Sequence, residues 1–326
     1  MIGKANGMRI AFRGNFRPRT AAGEPFSTES HISATMEILG HQVIRAQEDA
    51  IPWREIPALC ADADLFWFTT TWREDFPGGH AALAELHRRG LPTVSHSLDL
   101  FVGLDREHFL DTDPFWRTKY VFTADGGHQE VFAEKGITHH WMPPGVFEPE
   151  CYLAEPDPAL VQDVIFVGSR GYHQEYQHRP QLIAWLEKTH GSRFRHDDHS
   201  SGARGHRLNQ IYASAAVSVG DSCLLGGQEF YSSDRIPETL GRGGFLLHPE
   251  VKGVTDGGLY TAGLHLDTWP LGDWDALQWK IDFYLNHPDD RERILLAGHE
   301  WVKAHHTYTH RVRDMLTIIG HGEGWA

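Results

Sequence analysis

The chain has 326 residues, 40% of them hydrophobic and 11% aromatic, which is enough apolar material for two sizeable cores rather than one. Its 30 Lys and Arg stand against 44 Asp and Glu, a formal charge of -14, which excludes a surface built throughout to coat nucleic acid or anionic membrane and leaves room for one local basic site. Cys60, Cys151 and Cys223 are widely spaced and odd in number, so neither a disulfide framework nor a cysteine-rich zinc site is indicated, and a reducing, cytoplasmic setting fits best.

The start, MIGKANGMRIAF, has no apolar stretch of signal-peptide length, and no run approaches the roughly 20 apolar residues of a membrane span, so no transmembrane segment is expected. Short β-branched or aromatic runs then alternate with longer amphipathic stretches, the pattern of parallel strands joined by helical crossovers, and the expected fold class is α/β. In the first half, strands are predicted at Arg9–Phe12, Gln42–Arg45, Leu65–Thr69, Thr93–Ser95, Tyr120–Thr123 and His139–Met142. Helices are predicted between them at Thr28–Leu39, Trp53–Ala61, His80–Arg89 and Gln129–Lys135. The proline-rich segment PPGVFEPECYLAEPDPALVQ has no clear period and reads as a linker, which sets domain boundaries of 1–150 and 151–326. The same grammar restarts with the strand in DVIFVGSRG and the helix RPQLIAWLEKTHG. A strand near Arg193–His196, a helix at Arg207–Ala215, the apolar run AVSVGDS and the helix, turn and strand of IPETLGRGGFLLHPEV follow. A last strand is placed near Gly263–Leu266, before a long helical region from WDALQWKIDFYLN to the end.

In doubly wound sheets ligands bind outside the C-terminal ends of the strands, so the loops there are where chemistry is sought. The first, RGNFRPRT, sets Arg13, Arg17 and Arg19 beside the flexible Gly14 and reads either as a solvated basic loop or as one facing an anion, because guanidinium forks match phosphate oxygens. The loop GSRGYHQEYQHRP brings Gly168, Arg170, Gly171 and Arg179 ahead of a helix, a setting that suits a diphosphate but that a simple turn also produces. In GDSCLLGGQEFYSSDRIPETLGRGGFLLHPE, Pro237 and Glu238 sit at a helix start with Asp234 or Ser233 as cap, and the helix ends at Gly243 and Gly244. A carboxylate in a first turn ordinarily compensates the helix dipole; it can equally accept hydrogen bonds from ribose hydroxyls while Arg235 holds phosphate.

From about Asp163 to Leu316 the residues FVGSR, LNQIYASAAVSVGDS, SDRIPETLGRGGFLL and KIDFYLNHPDDRERILLAGHEWVKAHHTYTHRV resemble, in that order, the GT-B glycosyltransferases of the spore-maturation-protein-like group, related to the large group 1 glycosyltransferases. RGNF and SHISATMEILGHQV extend the likeness into the first half. The resemblance implies two Rossmann-like doubly wound domains facing a cleft. The N-terminal one binds the acceptor and the C-terminal one the sugar nucleotide, with a C-terminal helix able to cross back to the first. It implies a nucleoside-diphosphate sugar, UDP- or GDP-linked, as donor, and no required cofactor or metal. Glu238 matches the second glutamate of the family's paired motif; the first falls on Phe230, with Glu229 one position off, a departure from the pattern that bears on sugar recognition. Arg170 matches a cation at the donor phosphates, and Tyr231 and Arg235 lie in the motif loop.

As negative charge builds on the departing diphosphate, fixed cations and helix dipoles stabilise it without a metal. The acceptor hydroxyl needs positioning and, in an inverting reaction, a general base. His96 and Asp99 in SHSLDL are the candidates, with Asp125 and His128 in TADGGHQE as alternatives to them and a cap or turn role as the plain reading of each. Arg13, Arg17 and Arg19 raise an anionic acceptor: a phosphorylated lipid, an acidic glycan or a modified nucleic-acid base, the last not favoured by the net charge. The 23 histidines include RHDDH and an i,i+4 pair, His306 and His310, but no accompanying zinc-hydrolase glutamate, so they read as structural. The aromatic run Trp274, Trp279, Phe283, Tyr284 reads as helix packing. The competing functions are a GT-B epimerase, a catalytically silent nucleotide-sugar-binding protein and a metal hydrolase.

Overall fold

A computed structural model describes residues 7–16, 27–69, 76–171, 177–198, 203–222 and 229–320; Arg17, Arg19, Cys223 and His199 lie outside the described residues. The chain forms two compact units, Met1–Met142 together with Tyr308–Ala326, and Pro143–Thr307.

In the first unit, strands β1 (Arg9–Gly14), β2 (Gln42–Gln47), β3 (Leu65–Phe68), β4 (Thr93–Ser97), β5 (Tyr120–Thr123) and β6 (His139–Trp141) make a parallel sheet in the order β2-β1-β3-β4-β5-β6. β3 is the continuous apolar run LFWF, buried at every residue, as a strand covered on both faces must be. Helices α1 (Thr28–Ile38), α2 (Ile56–Leu59), α3 (Gly79–Arg88), α4 (Phe109–Thr112) and α5 (Gln129–Glu134) cross between the strands. α1 starts where Ser27 Oγ accepts the Ser30 N–H, and Gly14 leaves room for it: a Cβ there would stand 3.0 Å from Glu29 Cγ.

In the second unit, β7 (Gln162–Val167), β8 (Phe194–Asp197), β9 (Ala215–Val219), β10 (Leu246–Pro249) and β11 (Asp267–Trp269) make a second parallel sheet in the order β11-β10-β9-β7-β8. Its helices are α6 (Arg179–His190), α7 (Gly205–Ala213), α8 (Arg235–Gly241), α9 (Trp274–Asn286) and α10 (Pro288–His305). The last helix, α11 (Tyr308–Ile318), groups with the first unit and packs on α1. Both sheets are therefore doubly wound, and each reverses its strand order once, between β1 and β3 in the first and between β7 and β9 in the second. Ligands of such sheets sit outside the carboxyl ends of the strands at these reversals. Among the described residues no helix is long and apolar enough to cross a membrane.

Three expectations change. The proline-rich stretch is not a free linker but a strap fastened to the second unit: the Asn209 side-chain amide donates to the Glu150 and Tyr152 carbonyls, and the Asp157 N–H to Ser214 Oγ. The changeover between units accordingly comes at Met142, ahead of the strap rather than near residue 150. The last strand is Asp267–Trp269, because Gly263, at φ +76°, closes a turn with its N–H on the Leu266 carbonyl. The long C-terminal helical region breaks twice: at Pro288, which has no N–H to continue α9, and at His306–Thr307, whose backbone pairs with Val146. His306 and His310 thus stand on either side of a helix break rather than on one turn.

Candidate functional site

The strand reversal of the second unit is occupied by charge. β7 ends at Val167, just before Gly168, and β9 ends at Val219, followed by Gly220 and by Asp221, which is 1% exposed. A carboxylate this deep must be fully bonded to remain ionised. Arg179, the first residue of α6, donates to it from Nε at 2.6 Å and from Nη2 at 3.2 Å, and Arg235, the first residue of α8, donates from Nη1. Each arginine also reaches back to the end of β7, Arg179 to the Ser169 carbonyl and Arg235 to the Val167 carbonyl. Both guanidiniums lie against the Phe166 ring, 5.8 and 5.0 Å from its centroid. Two cations thus share one buried anion at the ends of the two central strands. Gly168 and Gly220 make this packing possible: a Cβ on the first would fall 2.4 Å from Arg235 Nη2, and one on the second 3.3 Å from Arg235 Cδ.

His248, at the end of β10, borders the same cluster, its Cδ2 3.0 Å from where a Gly220 Cβ would be. Burial pushes its pKa down to about 4, so the ring is neutral; Nδ1 meets the Pro249 carbonyl, while Nε2 lies toward the Asp221 backbone without a hydrogen bond of good geometry.

Glu238 lies one turn into α8 and belongs to a second ionic group of opposite balance. Arg242, 2% exposed, donates from Nε to Glu238 Oε2 at 2.6 Å, from Nη2 to Glu150, and from Nη1 to Asn209 Oδ1 at 2.7 Å. Burial alone would lower the Arg242 pKa, but the two glutamates outweigh it and hold it above the ordinary arginine value. Here two carboxylates share one guanidinium, and Glu238 Oε1 is left with no hydrogen bond among the described residues. The loop leading into α8 holds Phe230 at φ +59°, the one non-glycine residue with positive φ among those described, with its ring against Gly253. A bulky residue is held in that region only where its surroundings dictate it. Tyr231 is buried next to it in the chain, and Ser232 and Ser233 bury hydroxyls without hydrogen-bond partners among the described residues. Asp234 takes the N-cap position of α8, exposed, yet neither it nor Ser233 makes the expected capping bond.

Not every expected cation joins the cluster. The Arg170 guanidinium pairs instead with Glu187 on the exposed side of α6. In the first unit Arg13 is buried: it donates to the Glu48 and Ile51 carbonyls at 2.8 and 3.4 Å and lies 4.8 Å over the Trp53 ring. Arg13 thus turns both terminal nitrogens of its fork to backbone oxygens, where an open, anion-facing loop was expected; Arg17 and Arg19 lie outside the described residues. His96, one residue before the end of β4, is a buried ring whose pKa is pushed by burial down to about 4, with Nδ1 unbonded among the described residues. Asp99 is half-exposed, 3.9 Å from Arg106, and its N–H donates to Ser97 Oγ. Asp125 fastens the preceding loop by accepting the Phe101 and Val102 N–H groups at 2.8 and 3.0 Å. Burial raises its pKa above the ordinary carboxylate value, and His128 Nε2 stands 3.7 Å from its other oxygen. The sequence reading passed over Asp221 and Arg242, the two central members of the ionic groups. Their signals were a carboxylate one glycine after the strand run AVSV, and the i,i+4 spacing of Glu238 and Arg242.

The model of a family described as "Glycosyl transferase-like" matches residues 164–317. Among solved structures, a glycosyltransferase from Rickettsia africae is similar at 12% identity and a TM-score of 0.64, with 96% of this chain and 98% of that one covered. HepE from Anabaena, in complex with UDP and glucose, is similar at 12% identity and a TM-score of 0.62, covering 95% and 100%. The sucrose-phosphate synthase of Thermosynechococcus elongatus is similar at 12% identity and a TM-score of 0.60, covering 96% and 98%. A comparison with curated proteins gives no match. At these identities the likeness shows the fold, two parallel-sheet Rossmann-like units of the GT-B kind.

Proposed function

We propose that this glycosyltransferase of the GT-B kind takes its sugar from a nucleoside-diphosphate sugar bound by the second unit and passes it to an acceptor hydroxyl. The observation that carries the reading is the Arg179–Asp221–Arg235 cluster, two guanidiniums fixed at the β7/β9 reversal. A departing diphosphate gathers negative charge as the sugar leaves, and cations already in place stabilise it without reorganising. The HepE structure holds UDP and glucose, which favours uridine as the base. Glu238, held by Arg242 with Oε1 available, suits the ribose hydroxyls. Within α8 this sets a phosphate-holding arginine and a ribose-holding glutamate three residues apart. The spore-maturation-protein-like segments support placing the chain in that group. The buried free thiols of Cys60 and Cys151 fit a cytoplasmic setting.

The first unit would then take the acceptor. The ring of His96 is neutral and so in the state a base requires, although its depressed pKa makes it a weak one; Asp99 is the second group placed after the same strand. With Arg13 turned inward, one of the three cations that raised an anionic acceptor is gone.

The test is a calorimetric titration of UDP in excess EDTA. Saturable binding is expected in the wild type, because the arginines replace a divalent ion, and Glu238→Ala is expected to weaken it by about 1–3 kcal/mol, the range for hydrogen bonds to a charged group. Unchanged affinity in a folded Glu238→Ala protein would remove the ribose assignment, and binding only on addition of magnesium would remove the metal-free one.

A further inference from the structure

Asp221 presents a choice between two physical roles. It cancels one positive charge where an anion is to bind, so on charge alone it opposes binding. It also determines where both guanidiniums point. Arg179 and Arg235 are 42 and 14 residues away from it in sequence and open two different helices, yet both converge on its two oxygens. A planar fork held at one edge by a carboxylate, at another by a strand-end carbonyl, and on its face by a phenyl ring has little freedom left, so its remaining N–H groups have a set direction. All three restraints act on Arg235: Asp221, the Val167 carbonyl and Phe166. Arg179 has the same three kinds, from Asp221, the Ser169 carbonyl and Phe166. Gly168 and Gly220 leave open the space in which Arg235 lies.

We infer that Asp221 is a positioning residue for the donor diphosphate: it aims Arg179 and Arg235, and the orientation gained outweighs the charge it cancels. The inference rests on the donor reading above and adds to it a residue that touches no substrate. Its force is that the two roles predict opposite signs. Asp221→Asn keeps the shape and raises the net charge of the cluster by one, so a purely electrostatic role predicts tighter binding of any diphosphate. The amide, however, turns N–H groups toward a guanidinium and releases at least one fork, so the positioning role predicts weaker binding.

The experiment titrates UDP, inorganic pyrophosphate and uridine into the wild type, Asp221→Asn and Arg235→Lys, with thermal unfolding recorded for each. Arg235→Lys keeps the charge and loses the fork, and it covers the case in which Asp221→Asn fails to fold. The expected result is that both variants lose about tenfold or more in affinity for UDP and pyrophosphate, the scale of a lost charge-assisted hydrogen bond, while uridine binding stays at the wild-type level. Equal or tighter pyrophosphate binding in either folded variant overturns the inference. So does a parallel loss of uridine affinity, which marks a merely structural role. A wild type that binds neither UDP nor pyrophosphate overturns the donor reading itself, an outcome visible before any variant is made.

Discussion

The two strand reversals share a topology and use arginine in opposite ways. In the first unit Arg13 leaves β1 and folds back on Trp53 and two carbonyls, so its charge serves the fold. In the second, Arg179 and Arg235 close on a carboxylate that is itself fixed, which sets two guanidiniums at the place where a doubly wound sheet takes its ligand. An arginine near a glycine turn is thus no guide by itself. What decides is whether its partners are neutral oxygens that exhaust the fork or an anion that aims it.

That contrast can be broken at either end. The largest effect is expected at Arg235: its replacement by alanine should cost about 1.5–3 kcal/mol of UDP affinity, with Arg170→Ala, whose partner is the exposed Glu187, as the near-neutral control. Equal losses from the two variants would return the cluster to an ordinary structural salt bridge. Arg13→Ala should leave UDP affinity as it is and instead lower stability to denaturant by about 1–2 kcal/mol, since it strips two carbonyls of a donor and Trp53 of its cover. A fall in UDP affinity with unchanged stability would reverse the comparison.

The smallest effect is one of acidity and compares a buried histidine from each unit. His96 and His248 both have pKa values depressed by burial from 6.5 to about 4, so between these limits the unfolded chain binds protons that the folded protein refuses. Their contribution to stability is complete above pH 6.5 and is lost as the pH falls toward 4, at a rate approaching about 1.4 kcal/mol per pH unit for each ring. Denaturant melts at pH 7 and pH 5 should show the slope, and His96→Gln or His248→Gln should flatten it; a slope indifferent to both substitutions would show that other groups set it.

Much of the fold is legible in the sequence because its signals are local. Tyr120–Thr123 is both the predicted and the observed strand, and Leu65–Thr69 is one residue longer than the strand found, since an apolar run between turn residues needs no distant partner to be recognised. The breaks at Pro288 and His306 divide differently. The proline was visible, whereas the pairing of Val146 with Thr307 joins the two ends of the second unit and has no local mark. The site follows the same rule. Arg179, Arg235 and Glu238 stand beside glycines and a helix start, but Asp221 acquires its meaning only when two helices bring guanidiniums to it, and the link from Arg242 to Glu150 spans 92 residues. Residues that contact a ligand tend to carry a motif, and those that hold them in place are specified by the fold.

The grouping of α11 with the first unit has a consequence for the order of assembly. The second unit is one uninterrupted stretch, Pro143–Thr307, with Val146 and Thr307 paired at its two ends, so it is complete in itself as soon as it has been synthesised. The first unit is split, because α1 is covered by α11, with His31 and Tyr308 6.3 Å apart, and α11 leaves the ribosome only after the whole of the second unit. The unit begun before the second is therefore finished after it, and until then the face of α1 stands open to solvent.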